Sequence, residues 1–124
     1  MSQDRSATGR IHLDPPLMWR DFRVSRFCTI DKQPDPSASV RLEVSSSTLQ
    51  CDEGVITLHT AVAIVPAYGG PYPAHALTDH VQEIVDAYPD QTFEGHLEGH
   101  DNQGAHFHVV VRQGEARTVA LKIT

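Results

Sequence analysis

The sequence predicts a single α+β domain, an antiparallel sheet of about five or six strands with two helices on one face. Three observations predict it. Short runs of alternating apolar and polar residues recur along the chain, as in Val40–Val44, and mark half-buried strands. One long segment, Ala74 to Tyr88, repeats its apolar residues at helical spacing instead. The chain has 124 residues, 40% hydrophobic and 21% charged, which suits one globular core without staples.

Taken in order, residues 1–8 are polar and mixed and read as a flexible tail, leaving 9–124 as the domain. Gly9 to Leu13 alternates, with Ile11 and Leu13 on one side, and predicts a first strand. Asp14-Pro15-Pro16 is expected to stop it, because proline donates nothing to a ladder. Leu17 to Phe27 reads as a short helix with Asp14 as its cap and Leu17, Trp19, Phe22 and Phe27 on its apolar face. The polar, proline-bearing residues 31–39 form a loop. Val40 to Val44 is a strand that extends through Ser45–Leu49, and Asp52-Glu53-Gly54 turns the chain into a long strand over Val55–Val65. Ile56, Leu58, Thr60, Val62 and Ile64 share one face of that strand.

After a loop at residues 67–73, the helix from Ala74 to Tyr88 aligns Leu77, Val81, Ile84 and Tyr88. Asp79, Gln82, Glu83 and Asp86 take its opposite face, and Pro89-Asp90 ends it. Three alternating runs follow: Thr92–Glu98 with Phe93 and Leu97 inward, His106–Arg112 with Phe107, Val109 and Val111 inward, and Arg117–Thr124 with Val119, Leu121 and Ile123 inward. They predict an antiparallel meander. The order strand, helix, hairpin, helix, meander matches a ferredoxin-like split βαββαβ unit with extra C-terminal strands.

Charge narrows the function classes. The formal net charge is -6 and the basic residues are outnumbered, which disfavours nucleic acid as a partner. Two basic groupings stand out, Arg20, Arg23 and Arg26, which would make a basic stripe on the short helix, and Arg112 with Arg117. No apolar run is long enough to cross a bilayer, and residues 1–10 lack the apolar core of a signal peptide, so a cytoplasmic setting is expected. Cys28 and Cys51 then read as reduced packing thiols.

Histidine is the outlier, with eight in the chain. If Phe93, Leu97, Phe107 and Val109 face the core, His96, His106 and His108 share the opposite face with Glu94 and Glu98. Imidazoles and carboxylates on one face are the donor set of a Zn²⁺ site, and zinc is the one cofactor these residues suggest. The simpler reading is a solvated sheet face. No catalytic residues are assigned: there is no HExxH or GxSxG, and no Ser or Cys has an identifiable base. Gly69-Gly70 before a helix would suit an anion, yet Pro71 and Pro73 remove amides that would bind it. Tyr68 and Tyr72 in that loop suit protein contact.

Gly9 to Leu17 with Trp19, Cys51-Asp52-Glu53-Gly54, Ala61 to Ala67, Val81 to Pro89 and Thr92 to Gly95 together resemble a family of small uncharacterised proteins of actinomycetes and their phages. The resemblance spans about residues 9–98, with the histidine-rich hairpin after Gly95 departing from it. It implies a bacterial cytosol or a mobile element as the setting and carries over no activity.

The leading functional expectation is a non-catalytic, small acidic binding protein of the inhibitor, immunity or phage-accessory type. It would contact a protein partner, or itself, through Trp19, Tyr68, Tyr72, Glu94 and Glu98. The alternative is a metal-binding or metal-dependent hydrolytic protein using His96, His106 and His108.

Overall fold

The structure is a computed structural model that describes residues 7–33, 35–67, 74–100 and 105–121. The chain runs β1 (Thr8–Met18), α1 (Trp19–Phe22), β2 (Val40–Cys51), β3 (Gly54–Pro66), α2 (Ala74–Ala87), β4 (Thr92–His100), β5 (His106–Arg112) and β6 (Glu115–Ala120). The six strands make one antiparallel sheet in the order β2-β3-β1-β4-β5-β6. The first strand therefore lies between the β2–β3 hairpin and the β4–β5–β6 meander and ties them together.

Among the described residues, one face of the sheet is covered and the other is open. Apolar residues of α2 recur every three to four positions, so Leu77, Val81, Ile84 and Val85 fall on one side and are buried. They join Ile11, Leu13, Leu42, Ile64, Leu97, Phe107 and Val109 in one core. Phe22, Phe27 and Cys28, from α1 and the irregular segment after it, complete that core. Gln82 anchors the helix to the meander: its amide oxygen accepts the Ala116 amide at 2.7 Å and its nitrogen donates to the Gly114 carbonyl at 3.1 Å. Charge patterning had placed Gln82 on the solvent side, where its long polar side chain would ordinarily go.

Several expectations are corrected. The first strand continues past Asp14-Pro15-Pro16, and the Asp14–Pro15 peptide is cis. Pairing with β3 breaks between His12 and Leu17, as prolines without N–H groups require, then resumes at Leu17↔Ala61 and Met18↔Thr60. Leu17 thus belongs to the sheet, Met18 keeps an extended backbone without a side-chain cap, and the expected 17–27 helix shrinks to a single turn. The connection between β1 and β2 holds only this single turn, α1, where the expected unit needs a full crossover helix, so the fold is not a ferredoxin-like split βαββαβ unit; the extra C-terminal strands that were expected are β5 and β6. Thr8, assigned to a flexible tail, is the first residue of β1, and Ala7 before it is buried.

Two one-residue shifts also move side chains between faces. Glu43↔Ala63 is followed by Val44↔Ala61, so Val62 is an extra, bulged residue in β3. Ile64 therefore faces the core, whereas Leu58 and Ile56 lie on the open face with Met18 and Leu49, and all four are exposed. In the β5–β6 hairpin Gln113 (φ 54°) and Gly114 (φ 76°) form a two-residue turn that pairs Arg112 with Glu115 and Val109 with Thr118. Ala116 is consequently buried, while Val119 and Leu121, expected inward, are exposed. Ile123 lies outside the described residues.

The Arg20–Arg23–Arg26 stripe does not form. Arg26 forks onto Glu83 of α2 at 2.9 and 2.8 Å and reaches Asp35 at 3.3 Å. The Glu83 carboxylate raises the Arg26 pKa above its ordinary value, and Arg26 in turn lowers that of Glu83. No helix among the described residues is long and apolar enough to cross a membrane.

A candidate metal centre on the open sheet face

The site is built where β1, β4 and β5 run side by side. In β4 the residues Phe93, Gly95, Leu97 and Gly99 occupy the core-side positions, so His96, Glu98 and His100 project from the open face. In β5, burial of Phe107 and Val109 sends His106 and His108 the same way. The β4–β5 register pairs Glu98 with His108 and His100 with His106, and sets His96 diagonal to His108. Gly9 (φ 101°) and Gly95 (φ 118°) let β1 and β4 close up directly beside His96. A Cβ on Gly95 would collide with the Arg10 carbonyl oxygen, and one on Gly9 with the His96 carbonyl oxygen.

His96, Glu98 and His108 each bring one donor atom within 4.8 Å of the others. His108 Nε2 lies 3.3 Å from Glu98 Oε2, and the His96 and His108 rings stack with centroids 4.2 Å apart. Donors at Zn–N and Zn–O lengths of about 2.1 Å in a tetrahedron stand about 3.4 Å apart. The Glu98–His108 pair already has that spacing, and the His96 ring must swing out of its stack on His108 for its nitrogen to complete a three-donor site. Thr8 Oγ1 donates to the other Glu98 oxygen at 3.3 Å, which orients the carboxylate without using Oε2. Arg10, across β1 from His96, is drawn off by an ion pair with Glu43.

Of the expected metal residues, His96 and His108 come together, but His106 does not join them. It packs against His100 at a centroid distance of 4.0 Å, and Glu98 takes the third place. Glu98 was legible only as a carboxylate on the same face. Its role depends on the β4–β5 register, which the sequence does not state. The expected contact residues are dispersed. Trp19 is half-buried on the core, edge-on to Phe22 at 5.3 Å and against His59 at 5.4 Å. Glu94 is exposed on β4 opposite His12, and Tyr68 and Tyr72 lie outside the described residues.

A Ser–His pair escaped the sequence reading because its members are far apart in the chain. Ser39 N–H donates to His80 Nδ1 at 3.0 Å, and the Ser39 hydroxyl lies 2.6 Å from the same nitrogen. Ser39 is only 3% exposed and its hydroxyl also lies 3.2 Å from the Ala76 carbonyl, so the pair acts as a clamp between α2 and the start of β2. A cleft of about 410 Å³ opens elsewhere, between the end of α2 and the start of β4, lined by Asp86, Gln91, Phe93 and Gln113 among others. It contains none of the three metal donors.

Over residues 1–124 the chain matches DUF6205, a family of unknown function, and it belongs to that family. The match runs through the histidine-bearing hairpin, beyond the segments that first carried the resemblance. No curated protein and no solved structure matches the chain.

Proposed function

We propose that this member of a family of unknown function is a metal-binding protein that takes one divalent transition-metal ion of the Zn²⁺ class at His96, Glu98 and His108. The observation that supports the reading is the convergence of two imidazoles and a carboxylate within 4.8 Å on adjacent strands of a paired sheet. Two nitrogens and one oxygen suit a borderline-soft ion, and three protein donors leave a coordination position for water or a donor from a partner. Binding alone is the reading, and no reaction is assigned to the site.

Calorimetric titration of tag-free, chelator-treated protein with Zn²⁺ tests it. One site is expected, with stabilisation of about 2.7 kcal/mol when free metal reaches about 100 times Kd. His108→Ala and Glu98→Ala should each weaken binding at least about tenfold, as loss of even supporting groups commonly does, while His106→Ala leaves it unchanged. No saturable binding tighter than about 1 mM would overturn the reading.

A second reading, non-catalytic protein contact, is favoured by a different part of the molecule. The outer halves of β2 and β3 form an arm that is exposed on both faces. Leu49, Ile56 and Leu58 line one face of it.

A further inference from the structure

We propose that the β2–β3 arm is a self-association device: two copies of this chain join through their β2 edges in a two-fold antiparallel pairing centred on Ser47. This goes beyond metal binding and does not depend on it.

The β2 strand ends the sheet, and among the described residues only β3 pairs with it. Natural edges are usually guarded by Lys, Pro, a bulge or short length. From Val44 to Cys51 this edge has no charge and no proline, and the nearby bulge belongs to β3, leaving β2 itself regular. The opposite edge, β6, carries Glu115 and Arg117.

The direction of the free main-chain groups can be read from Leu42. Its N–H points away from β3 and donates to the Phe27 carbonyl at 2.9 Å. Alternation along a strand then turns the N–H and C=O groups of Val44, Ser46, Thr48 and Gln50 outward as well. Phe27 closes the edge at Leu42; beyond it the edge is open.

A second copy fits this edge by symmetry and by charge. In a two-fold antiparallel pair, opposed side chains share a face, so the dyad must pass through a residue that opposes its own copy. Centring on Ser47 opposes Val44 with Gln50 and Ser46 with Thr48, which are the outward-facing residues. Just past the paired segment, which ends short of Leu42, it also brings Glu53 at the arm tip of each copy within side-chain reach of Arg41 of the other, twice per dimer. Among the described residues Arg41, Asp52 and Glu53 make no ion pair within the chain. Centring on Thr48 would set Glu43 against Glu53, and centring on Ser46 would leave Arg41 opposite Cys51. The net charge of -6 disfavours most contacts between copies, but the arm between Glu43 and Asp52 is neutral.

Sedimentation equilibrium and disulfide trapping, both with a metal chelator present, test the proposal. The expected species has twice the 13.7 kDa chain mass. Arg41→Glu and Glu53→Arg should each be monomeric alone and should dimerise when mixed, because the mixture restores both ion pairs. In a Cys51→Ser background, Ser47→Cys should oxidise to a cross-linked dimer. The non-hydrogen-bonded Cα separation of about 4.5 Å falls in the disulfide range. Ser45→Cys, which would face Leu49, should not. A chain monomeric up to about 1 mM, or a dimer indifferent to the charge swap and trapped equally by both cysteines, overturns the proposal. Persistence of these results in chelator with failure of Zn²⁺ titration would leave this inference standing and remove the metal site alone.

Discussion

His80 sits between the helix and the start of β2, with Nδ1 accepting the Ser39 amide and its ring 5.8 Å from that of Phe27. Burial, and then the Arg26 charge, hold its pKa below the ordinary imidazole value, while Glu83, Asp79 and Asp35 push the other way. The unfolded chain therefore takes the proton first, near about pH 6.5. Stability contributed by the neutral ring is complete above that pH and declines as pH falls towards the lowered folded value. Glu83 and Asp35 are held low as well, Glu83 by Arg26 and Asp35 mainly by Ser37, so their contributions are lost at more acid pH still. Urea denaturation at stepped pH should show stability falling from about pH 6.5 downward, with His80→Leu flattening the first part of that fall. The histidine richness was plain in the sequence. Its division into a clamp (His80), a tilted ring pair (His100 and His106) and a stacked donor pair (His96 and His108) was not, because each grouping is made by strand register or by contacts distant in sequence.

At the scale of elements, α2 and the pattern of β4 and β5 were legible because burial imposes periods of 3.6 and two on the sequence. Three places were not. The prolines of β1 fall where the strand has left β3, so they interrupt pairing without ending the strand. A bulged Val62 and a two-residue turn at Gln113-Gly114 each shift register by one, and composition alone does not reveal such a shift. These readings separate core from arm. Leu77→Ala in the core should cost about 2–5 kcal/mol, whereas Leu58→Ala on the exposed arm should change stability by no more than about 0.5 kcal/mol; chemical denaturation measures both. Gly95→Ala should be destabilising by at least about 1–3 kcal/mol, because it adds a Cβ at φ 118° against the Arg10 carbonyl. The same variant should loosen His96 and weaken Zn²⁺ binding in titrations of protein that remains folded.

For the whole molecule, the sheet divides its work by face and by end. The core side carries the packing, with α2 and the 19–39 segment over it. The open side of the β1–β4–β5 centre carries the imidazole and carboxylate donors, and the hairpin at one edge carries an uncharged, exposed arm. The family match covers all 124 residues, so both features lie within the family's span. The most direct measurement is diffraction from crystals grown with Zn²⁺, recorded at the zinc absorption edge. The account predicts one anomalous peak per chain, about 2.0–2.2 Å from His96, Glu98 and His108 donor atoms. A map without that peak, or with zinc held only by His100 and His106, would contradict it.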